Sequence, residues 1–139
     1  MGIWGCEMQI TDGHRKYVRA PVDGNLPLSM WSNRWSSITP YNSEVARLPN
    51  PDRRASLGYM PGTDVPVIRQ PYAAGDRMSM FAMARDPLAA THLYDVDVDP
   101  DEIENRAGEK LEHDFIDLLH DALDELEVPD DHYRRLGLA

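Results

Sequence analysis

Eight prolines, Pro21, Pro27, Pro40, Pro49, Pro51, Pro61, Pro66 and Pro71, punctuate the chain from the start of Val22–Tyr72 to its end. Each removes a backbone donor and fixes one φ, so neither a long helix nor the middle of a wide sheet can run through them. Residues 22–72 are therefore expected to be mostly irregular, with the core built from the two ends of the chain. The same stretch holds Trp31, Trp35, Tyr41 and Tyr59. A solvated linker has little use for large apolar rings, so this segment is expected to pack against something.

The N-terminal end has the pattern of a β-hairpin. In "GIWGCEMQITDGHRKYVRAP" alternation runs from Ile3 to Ile10, Asp12-Gly13 supplies the turn, and Lys16 to Arg19 starts the return strand. Arg77 to Ala84, "RMSMFAMA", fits a buried strand or a helical turn equally. In "THLYDVDVDP", Leu93, Val96 and Val98 alternate with Asp95, Asp97 and Asp99, which predicts a half-buried strand ending at Pro100. Residues 109–127 form the most regular pattern: Leu111, Phe115, Leu118, Leu119, Ala122, Leu123 and Leu126 recur at spacings of three and four. That is an amphipathic helix lying on a core, closed by Pro129, after which Leu136 and Leu138 are placed to tuck back.

Hydrophobic residues make up 42% of the 139 residues, enough for one modest core. These patterns predict an α+β fold in one domain, a small antiparallel sheet packed by a C-terminal amphipathic helix. Its parts are a hairpin over 1–21, an irregular proline-rich middle over 22–72, strands over 73–99 and a helical tail over 100–139.

Charge narrows the partners. Residues 1–90 carry 8 acidic and 10 basic side chains, whereas residues 91–139 carry 16 acidic and 4 basic. The acidic tail repels phosphate backbones, which argues against nucleic acid as a partner. No apolar run is long enough to span a bilayer and no secretory signal is present, so a soluble, cytoplasmic chain is expected. The lone Cys6 allows no intrachain disulfide.

Few residues have the spacing of a catalytic device. His113, Asp117, His120, Asp121 and Asp124 share one helix face and are candidate metal ligands, above all His113, Asp117 and His120. The alternative is the solvated acidic face that amphipathic helices ordinarily show. Cys6 needs a base to act as a nucleophile, and His14 is the nearest histidine in sequence; the alternative is a small core side chain. Asp130-Asp131 resembles a metal-binding pair, but it follows a helix near the terminus with no further ligand in sight and is read as solubilising charge. Phosphate-binding glycine loops, Gly-x-Ser-x-Gly, His-Glu-x-x-His and Cys-x-x-Cys are all absent from the sequence.

Taken together, the two ends resemble the C-terminal subdomain of sulfatases. "GIWGCEMQITDGHRKYVRAP" is similar to its start, with a Gly-Ile-x-Gly opening, a short strand and Thr-Asp-Gly. "HLYDVDVDPDEIENRAGE" resembles the family's "LYDLxxDPxExxNLA" segment, and "VPDDHYRRLGL" is similar to a tail of some members. The resemblance implies a non-catalytic portion of a sulfuric ester hydrolase. In that family a divalent metal, calcium or magnesium, and a formylglycine made within Cys/Ser-x-Pro/Ala-x-Arg reside in the larger N-terminal domain.

Here Cys6 is followed by Glu7, Met8, Gln9 and Ile10, so that motif is missing and no cofactor is expected in this chain. Trp4 and Glu7 are the candidate substrate contacts. Glu7 stands where relatives carry His, and a carboxylate there repels an anion. The expected partner is a separate or missing N-terminal catalytic domain, the chain starting at an internal methionine or the break of a split gene, with self-association of the aromatic middle when alone. Two other readings stay open: a standalone module that binds a catalytic domain or other protein, and a small acidic metal-binding protein.

Overall fold

The hairpin forms where alternation and turn chemistry agree, and the rest of the first sheet is built onto it. In the computed structural model, residues 5–33, 56–60, 62–71 and 90–139 are described. Among them are the strands β1 (Met8–Thr11), β2 (Arg15–Arg19), β3 (Ser29–Ser32), β4 (Ser56–Tyr59), β5 (Pro66–Pro71) and β6 (His92–Asp95), and the helices α1 (Glu112–Glu125) and α2 (Asp130–Arg135). Asp12 Oδ1 accepts the amides of His14 at 2.8 Å and Arg15 at 2.7 Å, and Gly13 adopts φ +95°, a region that side chains disfavour. The bond from the His14 amide is the largest cause holding the Asp12 carboxyl below its ordinary value.

The first sheet has the order β1-β2-β6, all antiparallel, with Ile10 opposite Tyr17 and Tyr17 opposite Leu93. β6 stops at Asp95 rather than reaching Pro100. The amides of Val98 and Asp99 donate to the Asp95 carbonyl, which turns the chain and leaves Val98 79% exposed. Aspartates, which favour turns, thus outweigh the alternation that suggested a longer strand. Beyond the turn the chain returns beside β6: Asn105 Oδ1 accepts the Leu93 amide at 3.0 Å, its Nδ2 donates to the Thr91 carbonyl, and the Arg106 amide donates to the Leu93 carbonyl. The outer side of β6 is so satisfied without another strand.

Helix α1 covers one face of this sheet. Phe115, Leu119 and Leu123, one i, i+4 row, are buried against Tyr17 and Leu93, and Leu136 beyond α2 completes the cluster at 0% exposure. Burying side chains of this kind contributes roughly 1.5–3 kcal/mol each. Leu118 and Leu126, members of the expected stripe, are exposed instead. The contact is a narrow row, and the helix ends at Glu125 with Glu127 in the left-handed region at φ +51°, so Leu126 lies past the last packed turn. Leu136 and Leu138 do return to the body as the sequence suggested.

Residues 22–72 are less irregular than their prolines imply. The described part forms a second antiparallel sheet of order β3-β5-β4, with Ser29 opposite Pro71 and Tyr59 opposite Pro66. Pro66 and Pro71 are the first and last residues of β5, so the missing donors fall at the strand's ends and its interior ladder is intact. Trp35, Tyr41 and the run Arg77 to Ala84 lie outside the described residues. The α+β class therefore holds, with two small sheets where one was expected. No helix among the described residues is long and apolar enough to cross a membrane.

Candidate functional site

An arginine is seldom buried unless its charge and donors are met, and Arg135 on α2 is 1% exposed. Its Nη1 donates to the Cys6 carbonyl at 2.8 Å and to Asn25 Oδ1 at 2.9 Å, while Asn25 Nδ2 donates to the Gly5 carbonyl at 2.6 Å. Burial lowers the affinity of the guanidinium for its proton, and the neighbouring Cys6 and Glu7 work in the opposite direction. One side chain thus ties the segment before β1, the turn at Asp23–Asn25 and α2 together. The amide of Val22 adds a bond to the Arg135 carbonyl at 2.8 Å.

The same short helix reaches the second sheet. Asp131 is ion-paired with Arg69 of β5, whose Nε donates to Ser29 Oγ at 2.9 Å, and the Arg69 guanidinium lies 5.5 Å from the Trp31 ring centroid. His132, half-buried between these two anchor points, has an Nδ1 without a hydrogen-bond partner. α2 therefore meets the second sheet through Asp131 and the segments flanking the first sheet through Arg135.

Glu7 is 4% exposed and lies in this interior, where its charge acts on Arg135. Trp4, the other candidate substrate contact, lies outside the described residues. Cys6 is buried at 1% exposure, and its carbonyl serves Arg135, while His14 pairs with Asp97 at 2.7 Å. The structure does not bring Cys6 and His14 together as nucleophile and base.

The face that carries the candidate metal ligands is organised around a tyrosine. His113, Asp117 and Asp121 are exposed on α1, whereas His120 and Asp124 meet Tyr133 of α2. Tyr133 donates its hydroxyl to Asp124 Oδ1 at 2.5 Å, and its ring centroid lies 5.0 Å from that of His120. The bond to Asp124 pushes the Tyr133 hydroxyl up to about 12. Among the described residues no group of three His, Cys, Asp or Glu is arranged to hold a metal ion. An open groove of about 470 Å³ runs along this side, lined in part by His120, Asp124, Glu127 and Arg134.

Arg135, Asn25 and His132 carry this geometry, and motif reasoning did not single them out. The one signal available was spacing: once 130–135 is helical, Asp131 and His132 lie four and three residues before Arg135, each on a face it shares with Arg135. Nothing in "YRRLGL" itself says which arginine points inward. Comparison of the chain with protein-family models, with curated proteins and with solved structures gave no match in any of the three.

Proposed function

We propose that the chain is the C-terminal, non-catalytic portion of a sulfatase-type hydrolase, a framework piece that works with a catalytic domain performing sulfuric ester hydrolysis. One observation carries this: the residues on which the resemblance rests do structural work in a single unit. Tyr17 and Leu93 face each other across β2 and β6, Asn105 closes the outer side of β6, and Arg135 of the tail holds the segment at Cys6. Such residues support a neighbouring active site and supply no nucleophile of their own.

The formylglycine of the family does not fit Cys6, and the divalent metal does not fit the residues described. Cys6 lies outside a Cys/Ser-x-Pro/Ala-x-Arg setting and is buried, and the described residues offer no ligand set. Both groups belong to the catalytic domain in this proposal, and no chemical step passes through this chain.

A second reading is favoured by the second sheet. Leu57 is 85% exposed and Tyr59 67%, and Met60 and Val65 beside them are also exposed. Apolar side chains grouped in this way suit a protein-binding surface. The genomic DNA upstream of the reading frame separates the two. An adjoining frame encoding Cys/Ser-x-Pro/Ala-x-Arg is the expected result, and an unrelated gene with its own stop codon overturns the sulfatase proposal in favour of an interaction module.

A further inference from the structure

His132 and Arg135 line one narrow pocket together with Leu28, Trp31 and Asp131, and two of its polar atoms have no partner. They are His132 Nδ1 and Arg135 Nε, two atoms shielded from solvent. We propose that α2 is an acid-sensitive clasp: uptake of a proton by His132 releases α2 from its seat between the two sheets.

The charges around the ring decide the direction. On α2 itself Arg135 brings a positive charge and Asp131 a negative one, but the Asp131 carboxylate already serves Arg69 of β5 and, at 3.5 Å, the hydroxyl of Ser29. From the segment before β1, Cys6 and Glu7 act on Arg135. The part of β3 at the pocket adds Trp31, which does not titrate. A protonated His132 carries a proton on both ring nitrogens, so it sets a second cation beside Arg135 and makes Nδ1 a buried donor with no acceptor. Moving a six-residue helix into water relieves both costs at once.

Burial, then Arg135, hold the ring below its ordinary value of 6.5, with Asp131 opposing them. For a base held down in the folded state, the stabilisation is complete above the ordinary value and is lost as pH falls beneath it. The working window is that of histidine, where ordinary carboxylates stay charged.

Release frees the Val22 amide from the Arg135 carbonyl, and because six residues do not hold a helix in water without packing, the Leu136 amide then loses its bond to the His132 carbonyl as well. The test is amide hydrogen exchange on the full chain at pH ~7.5 and ~5.5, corrected for the intrinsic pH dependence of exchange. The expected result is a several-fold loss of protection at Val22, Leu136 and Gly137 in acid, with the β1–β2 hairpin unchanged. In His132→Gln this loss disappears. Unchanged protection in the parent chain, or an equal loss in parent and variant, overturns the clasp. Should the variant fail to fold, titration of the His132 ring protons by nuclear magnetic resonance in the parent chain decides: a midpoint below 6.5 supports the clasp, and one at or above 6.5 overturns it.

Discussion

Arg135 Nη1 donates to the backbone carbonyl of Cys6 across 2.8 Å, joining residues 129 positions apart in sequence. The bond closes the chain on itself at a site where neither group meets water. Because Asn25 receives the second bond from the same nitrogen, the contact holds three separate segments at one point. Glu7 lies beside it, so the position where a substrate contact was sought is part of the interior support.

Arg135→Met should lower stability by about 3 to 5 kcal/mol, since it takes the Arg135 donor from the Cys6 carbonyl and Asn25 Oδ1 and a buried positive charge from the neighbourhood of Glu7. Arg135→Lys keeps the charge but loses the fork, and should recover only part of the loss. Urea unfolding of the three chains checks this. Equal midpoints would mean that the arginine is bystander charge.

Phe115→Ala should cost about 3 to 5 kcal/mol, because the ring is 3% exposed and packs 5.9 Å from the Tyr17 ring centroid. His120→Ala should stay within about 0.5 kcal/mol. Thermal unfolding of both variants separates the buried row of α1 from its outer face, and similar losses in the two would contradict the assignment.

Much of this was legible in the sequence and some was not. The hairpin, the terminal helix and the return of Leu136 follow from alternation, turn residues and helical spacing, which are local signals. The second sheet is different: whether a proline stops a strand depends on where along it the ring falls, and Pro66 and Pro71 fall at the ends of β5. The strand predicted to Pro100 ends at Asp95 because the turn that the aspartates favour outweighs the alternation. Arg135 was hidden for another reason. Its burial depends on Cys6 and Asn25, more than a hundred residues away, and no local pattern reports a partner at that distance.

Asn105→Ala should cost about 1 to 3 kcal/mol, since one side chain accepts from Leu93 and Ala107 and donates to Thr91. The loss should be concentrated at β6. Exchange of the Leu93 amide is the readout, and undiminished protection there would show that the outer side of β6 is closed by other groups.

Alkaline pH should weaken the fold through Tyr17. Burial is the largest cause raising its hydroxyl from 10.0 to about 12, and the hydroxyl donates to Glu112 at 2.9 Å. A phenol that holds its proton more firmly when folded contributes stability that is complete below 10 and is lost as pH rises through about 12. Phenolate absorbance should show a late-ionising group that Tyr17→Phe removes. A titration identical in parent and variant near that pH would contradict the buried bond to Glu112.

If, as proposed, the chain supports sulfate-ester chemistry without performing it, turnover of an aryl sulfate by the purified chain with calcium or magnesium added is the decisive assay. The expected rate is no higher than that of a boiled control. Turnover that survives a second purification and is abolished by chelation would contradict it, since the chain would then possess the nucleophile and ligand set that Cys6 and the acidic face of α1 do not provide.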